Sequence, residues 1–354
     1  MKTPALHYLS PEEAIQLTKK RKGERRIGEM AEYLQPRFSL EENLKKTKCK
    51  FVLLGIPEDI GVRANFGRGG THTAWKPALE NILSIQSNSY FSGKELFVLG
   101  AINFDELMKK SEHLNPKIPS QLDQLRIFTG EIDIHVSELI QIIVSHGKIP
   151  IVIGGGHNNA YGNLKGSATA LKIRKKLKNF SLNAINCDAH ADLRALEGRH
   201  SGNGFSYAMK NEFLNKYAVL GLHENYFNET AELSFKREKK QLLMKSYEDI
   251  FVRENISLSK ALNDCIRFVS KSECGVELDL DSITNVPSSA KTSSGISPVQ
   301  ARQFAYRCGK ELNAVYFHIA EGAPVLAHRQ ADNKTGKLIG YLVTDFIKGV
   351  LEKK

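Results

Sequence analysis

The sequence of 354 residues has no apolar run long enough to cross a membrane: stretches such as Phe51–Ile56 and Ile149–Gly154 fall far short of the ~20 residues a span requires. Its first 33 residues lack both the apolar core of a secretory signal and the acid-poor, Arg- and Ser-rich bias of a transit peptide, so a cytoplasmic protein is expected. Cys49, Cys187, Cys265, Cys274 and Cys308 form no C-x-x-C pair, which argues against a cysteine-rich zinc site or a disulfide framework and predicts free thiols. Internal repeats and low-complexity linkers are also missing. With 41% hydrophobic and 25% charged residues, the composition excludes disordered, collagenous and disulfide-scaffold classes and leaves a globular chain that can bury a core.

The formal charge of +11 is local rather than general. Residues 1–50 carry 12 Lys/Arg against 7 Asp/Glu, Lys165–Lys178 holds six basic and no acidic side chains, and the remainder is neutral. No aromatic platform interleaves with these basic segments, so they read as solvated faces and no nucleic-acid partner is expected. Phosphate binding finds no support either. Gly154–Gly156 lacks the Lys-Ser/Thr of a P-loop, and Gly67-Arg68-Gly69-Gly70 lacks the spacing of a dinucleotide fingerprint.

Short apolar, β-branched runs recur at Phe51–Leu54, Leu96–Leu99, Pro150–Ile153, Asn183–Asn186, Ala218–Leu220, Gly275–Leu280 and Ala314–Ile319. Their largely continuous apolarity suits strands buried on both faces. Between them Val136, Leu139, Ile140, Ile143 and Val144 keep a helical period that stops at Gly147, and Leu338, Leu342, Phe346, Ile347 and Val350 repeat the pattern at the C-terminus. This alternation predicts an α/β fold: a doubly wound, mostly parallel sheet with helices on both sides. Residues 1–48 are polar and highly charged, and Ser10-Pro11-Glu12-Glu13 reads as a helix start, so an N-terminal helical extension (1–48) followed by a single domain (49–354) is expected. Asn285–Gly295 is rich in small, turn-forming residues and reads as a loop after a strand.

The chemistry lies in where acids and histidines fall relative to these strands. Gly154-Gly155-Gly156-His157, Asp188-Ala189-His190-Ala191-Asp192 and Asp279-Leu280-Asp281 each follow or close an apolar run. Open parallel sheets bind ligands at that end of the strands. Residues two apart in extended chain face the same way, so Asp279 with Asp281, or Asp188 with His190, can serve one site. Four carboxylates and two imidazoles exceed the needs of one ion and suit two divalent ions, roughly 3.5–4 Å apart, with carboxylates bridging. Oxygen-rich mixed ligation favours manganese over zinc. Without cations the same carboxylates would repel one another and resist ionisation.

Together these motifs resemble the three signatures of the arginase/agmatinase/formimidoylglutamase family, the ureohydrolases. The likeness extends to Gly55-Ile56-Pro57, to Gly61–Gly70 and to Phe317–Pro324, and covers roughly residues 50–350. It implies a three-layer α/β/α sandwich of the arginase type and two manganese ions whose shared water, its pKa lowered, attacks the carbon of an amidine or guanidine. By motif position His157, Asp188, Asp192 and Asp279 would hold one ion, and Asp188, His190, Asp279 and Asp281 the other. Asp192 would pass the proton to the leaving amine, and Glu321 would pair with the cationic amidinium or guanidinium.

Arginases carry a proton-shuttling histidine two residues after a Ser-Gly-Asn; here that position is Phe205, and His200 is the nearby candidate for a catalytic role, with Asn203 a candidate substrate contact. Asp192-Leu193-Arg194 resembles the D-L-R extension of formimidoylglutamases, where Arg194 could bind a substrate carboxylate bidentately. The resemblance thus favours N-formimidoyl-L-glutamate, split to L-glutamate and formamide in histidine degradation, over arginase, agmatinase or guanidine chemistry releasing urea. Two departures from the family pattern are Thr284-Asn285 in place of Asp and Pro after the D-x-D pair, and Asn158-Asn159 after a His157 that no acid precedes. A single-zinc deacetylase-type hydrolase would use paired histidines, absent here, and would leave His157 and Asp281 surplus. A non-catalytic relative would be expected to have lost a ligand, and none is lost. The family relation also implies a homo-oligomer.

Overall fold

The computed structural model describes residues 5–174, 181–327 and 333–353. Its strands are β1 (Leu6–Tyr8), β2 (Glu32–Tyr33), β3 (Phe51–Gly55), β4 (Leu96–Ile102), β5 (Ile149–Ile153), β6 (Leu182–Cys187), β7 (Leu214–Leu222), β8 (Leu242–Ser246), β9 (Cys274–Asp279) and β10 (Ala314–Ala320). They form one sheet in the order β1-β4-β3-β5-β10-β9-β6-β7-β8, with β2 also on β4. Every pairing is parallel except β1 with β4. The apolar runs of the sequence are the central strands, and β3, β4, β6 and β9 are buried at every position. Alternate residues of each strand feed two cores, one per face, as a sheet sandwiched between helical layers requires.

One face packs under the helices Trp75–Leu83, Leu258–Val269, Pro298–Glu311 and Asn333–Glu352; the other packs under Pro119–Ser145, Asn159–Ile173 and Gly204–Lys210. The helix ending at Ser145 stops where its period predicts: Gly147 takes φ 77° and its N–H reaches the Val144 carbonyl at 2.9 Å. Ser10 caps Pro11–Leu17 reciprocally with Glu13.

The first 48 residues are not a purely helical extension. They hold the helices Pro11–Leu17, Ile27–Met30 and Leu40–Lys46, but β1 and β2 join the sheet through β4. Strands of three and two residues are too short to show a period, and they form because the open edge of β4 offers unpaired backbone groups. Of the basic segment Lys165–Lys178, Lys165 and Lys172 ride on the helix Asn159–Ile173, and the part beyond Arg174 lies outside the described residues. Among the described residues no helix is long and apolar enough to cross a membrane.

Candidate metal centre

Four adjacent strands, β5, β10, β9 and β6, end side by side, and the loops leaving their C-terminal ends meet over the sheet. After β5 the chain turns through Gly154 and Gly155 at φ 90° and 72°. A Cβ on Gly155 would stand 2.3 Å from Asn159 Nδ2 and 2.8 Å from Glu58 Oε1, so the turn that presents His157 needs glycine there. Asp188 follows β6 directly, and its Oδ1 accepts the His190 N–H at 2.7 Å while Asn186 Nδ2 donates to Oδ2 at 2.9 Å. Asp279 ends β9 and accepts the Asp281 N–H at 2.6 Å, which folds the D-x-D pair into a tight turn. The Asn285–Gly295 loop then returns, donating the Ala290 N–H to Asp281 Oδ1 at 2.9 Å. Thr284 ties the ends of that loop through the Gly295 carbonyl at 2.7 Å and the Gly295 N–H at 3.1 Å, so the departure at this position leaves Asp281 supported.

His157 Nδ1 lies 2.9 Å from Asp192 Oδ2, 3.1 Å from Asp188 Oδ2 and 3.2 Å from Asp279 Oδ2. None of these contacts has hydrogen-bond geometry, although the ring is fully enclosed. One nitrogen and three carboxylate oxygens that converge without bonding one another, all within 4.8 Å, form a donor set that fits a metal ion. Beside it, His190 Nδ1 stands 3.6 Å from Asp188 Oδ1 and 4.0 Å from Asp281 Oδ2, a looser group that shares Asp188 with the first. The structure therefore brings all six candidate ligands of the sequence together at the strand ends.

The charges report the same need for cations. Burial, then repulsion from Asp281 and Asp188, pushes Asp279 well above the carboxylate range, and burial raises Asp192 and Asp281 too. Burial also opposes ionisation of Asp188, but His157 and His190 outweigh it and hold this carboxyl low. Both imidazoles are driven up against the burial penalty by the aspartates, His190 to about 10. A protein-only centre thus draws protons onto its histidines, the place that divalent ions would take.

Asp192 and Glu321 sit at φ 50° and 64°, the left-handed region that costs a non-glycine residue roughly 1–2 kcal/mol. Both carboxylates line a cavity of about 150 Å³ together with His190, Asp279, Asp281 and Arg194. Glu321 Oε1 accepts the His157 N–H at 2.7 Å, while its buried Oε2 has no hydrogen-bond partner among the described residues. Burial, reinforced by Asp281, pushes Glu321 up to about 8. Arg194 is exposed at this cavity and makes no ion pair among the described residues.

His200 and Asn203 do not line the cavity. His200 caps the turn Ser201–Asn203, its Nδ1 accepting the Gly202 N–H at 3.2 Å, and burial with the nearby Arg126 and Arg199 lowers it to about 3. Asn203 is spent inside the loop, donating to the carbonyls of Gly198 and Ala195 and accepting from Arg199 and the His200 N–H. Phe205 is buried as well, edge-on to His157 at 5.4 Å and stacked on Tyr217. Neither His200 nor Asn203 is therefore placed to touch a ligand.

Further residues from the surrounding loops complete the site. Asn65, Ser201, Tyr226, Asn228 and Ser289 line the cavity, and Tyr226 stacks on His190 with ring centres 5.0 Å apart. The fully buried Glu58 accepts from Gly156 N, Asn158 Nδ2 and Asn159 Nδ2 with one oxygen and from Ile60 N and Gly61 N with the other. It thereby ties the His157 loop, and the asparagines beside His157, to the loop after β3. A larger groove of about 1010 Å³ beside β1, lined by Tyr8, Tyr33 and Phe38, contains none of the strand-end ligands.

An α/β/α fold with a buried, carboxylate-rich donor set at the strand ends defines a metal-dependent hydrolase. The model of the Arginase family matches residues 49–348, and the chain belongs to that family. It is 27% identical over 308 residues to the formimidoylglutamase of Streptococcus pyogenes serotype M12, covering 83% of this chain and 84% of the relative. The crystal structure of Trypanosoma cruzi formiminoglutamase with Mn2+ superposes with TM-score 0.69 at 19% identity, over 94% of this chain and 100% of that one. Formimidoylglutamase from Bacillus subtilis superposes with TM-score 0.71 at 15% identity, over 95% of each chain.

Proposed function

We propose that the protein hydrolyses N-formimidoyl-L-glutamate to L-glutamate and formamide with two manganese ions. The observation that carries this reading is the cavity itself: a carboxylate oxygen and a guanidinium that have no partner among the described residues, Glu321 Oε2 and Arg194, line the same space as His190, Asp192, Asp279 and Asp281. That pairing is complementary to a substrate with a cationic amidine at one end and a carboxylate at the other. The formimidoylglutamase and Mn2+-bound relatives support it.

His157, Asp188, Asp192 and Asp279 would hold one ion and Asp188, His190, Asp279 and Asp281 the other, with Asp188 and Asp279 shared. When bound, the ions supply Lewis acidity and a nucleophile at neutral pH. Glu321 binds the amidinium and Arg194 the substrate carboxylate. Asp192, whose carboxyl burial and the Asp188 charge keep ready to take a proton, delivers it to the leaving amine. The C–N bond to the glutamate nitrogen breaks, that nitrogen gains the proton, and the formimidoyl carbon leaves as formamide. The same machinery with a guanidine substrate would release urea, which is the second reading. Incubating the manganese-loaded protein with N-formimidoyl-L-glutamate, L-arginine, agmatine and guanidine, and quantifying formamide and urea, separates them. Formamide with glutamate is expected; urea alone would overturn the substrate.

A further inference from the structure

Beneath the donor set the sheet carries a row of polar residues where apolar ones are the rule. His318 on β10, Glu277 on β9 and Asn186 on β6 stand in register, flanked by Val152 on β5 and Val219 on β7. All three are completely buried, which is costly unless each group is paired. Glu277 is paired on both oxygens: Tyr316 O–H donates to Oε1 at 2.6 Å, and His318 Nδ1 meets Oε2 at 2.6 Å. His318 Nε2 in turn faces the Gly154 carbonyl at 3.3 Å, on the loop that presents His157.

One contact of Glu277 remains. Its Oε2 lies 3.4 Å from His157 Nε2, a nitrogen with no hydrogen-bond partner elsewhere among the described residues. A closure of about 0.3–0.5 Å makes this a normal hydrogen bond. A neutral imidazole carries a single N–H, so a histidine that offers its Nδ1 lone pair must keep the proton on Nε2 and needs an acceptor there. His157 has Nδ1 on the three aspartates and Nε2 toward Glu277, with the Phe205 edge against the ring. We propose that Glu277, fixed by His318 and Tyr316, is a positioning residue that holds His157 in its Nε2–H form and aims Nδ1 at the ion shared with Asp188, Asp192 and Asp279. This rests on the manganese reading above but concerns a side chain that reading does not use.

Manganese binding, rather than turnover, tests it. Calorimetric titration, with electron paramagnetic resonance to separate single from coupled ions, is applied to wild type, Glu277→Gln, His157→Ala and the double variant. Glu277→Gln should weaken one of two ions by about 10- to 100-fold. In the His157→Ala background the same change should have no further effect, because its route to the metal is gone. Should Glu277→Gln not fold, judged by circular dichroism, Tyr316→Phe removes one tether of Glu277 and should weaken the same ion severalfold. Unchanged affinity in a folded variant overturns the proposal, as does an equal loss with and without His157. A third ion per chain, lost in Glu277→Gln, would make Glu277 a ligand and also overturn it. Wild type binding a single ion would refute the two-ion reading alone, and Glu277 must then act on that ion through His157.

Discussion

Replacing Glu58 by Gln tests whether the loops that carry the site are held by one buried carboxylate. Five N–H donors converge on Glu58, three on Oε1 and two on Oε2, at 2.7 to 3.3 Å. Glutamine is nearly isosteric but brings two donors of its own. In its better orientation the amide oxygen keeps the Gly156, Asn158 and Asn159 donors, and the amide nitrogen faces the Ile60 and Gly61 N–H groups. Two buried backbone donors then lose their acceptor, each at about 1–3 kcal/mol, and relaxation of the loop after β3 brings the sum to roughly 2–4 kcal/mol. With an unfolding entropy of about 2.1 cal/mol/K per residue over 354 residues, each kcal/mol corresponds to roughly 1.4 °C. Scanning calorimetry of the metal-free protein should therefore show a Tm lowered by about 3–6 °C. Glu58→Ala should fall further, because it strands all five donors. A Glu58→Gln protein within about 1 °C of wild type would refute the view that this carboxylate organises the His157 loop.

Two further outcomes follow from single contacts. Arg194→Ala should raise KM for N-formimidoyl-L-glutamate by roughly 10- to 100-fold with kcat little changed, the mark of a lost ground-state contact to a carboxylate, and should leave metal content intact; steady-state kinetics and metal analysis check this. Asp59 accepts from Arg63 Nε at 3.0 Å, Gly70 N at 2.8 Å and His72 Nδ1 at 2.9 Å; burial opposes its ionisation, but His72, Arg63 and the Gly70 N–H outweigh it and lower its pKa. A carboxyl lowered in the folded state stabilises fully above its unfolded value of about 3.9 and loses that contribution as pH falls through the folded value. Asp59→Asn should cost about 2 kcal/mol at neutral pH and less below pH 4, read from urea unfolding between pH 3 and 7.

The strands were legible because a parallel sheet covered on both faces is apolar along most of its length; β3, β4 and β5 follow that rule throughout, while β6, β9 and β10 interrupt it only at Asn183, Asn186, Glu277, His318 and the strand-end Asp279. The six candidate ligands were legible for a related reason: acids and histidines at the ends of such strands have little else to do. Glu277 and His318 carried the same signal, as polar residues inside apolar runs two places from Asp279 and Ala320, but period alone does not say which strands are neighbours. Register supplies that link. His200 and Asn203 show the opposite failure. Their motif places them near the site in sequence, yet Arg199, bonded to Asp133, Asn158 and Asn203, folds the loop so that both face inward. Tyr226 and Asn65 reach the cavity from loops whose paths depend on tertiary packing, which no local pattern encodes. β1 and β2 escaped because their pairing is set by the exposed edge of β4 rather than by their own residues.

If the buried donor set holds the metal that drives hydrolysis of an amidine, removing one shared carboxylate must abolish both binding and turnover. Asp279 faces His157 Nδ1 at 3.2 Å and is common to both proposed ion sites, so Asp279→Asn is the sharpest probe. Metal content and formamide release from N-formimidoyl-L-glutamate should be measured on the same folded, manganese-loaded preparation. Loss of bound manganese together with loss of formamide release is the predicted result; full activity from a variant that has lost its manganese would contradict it.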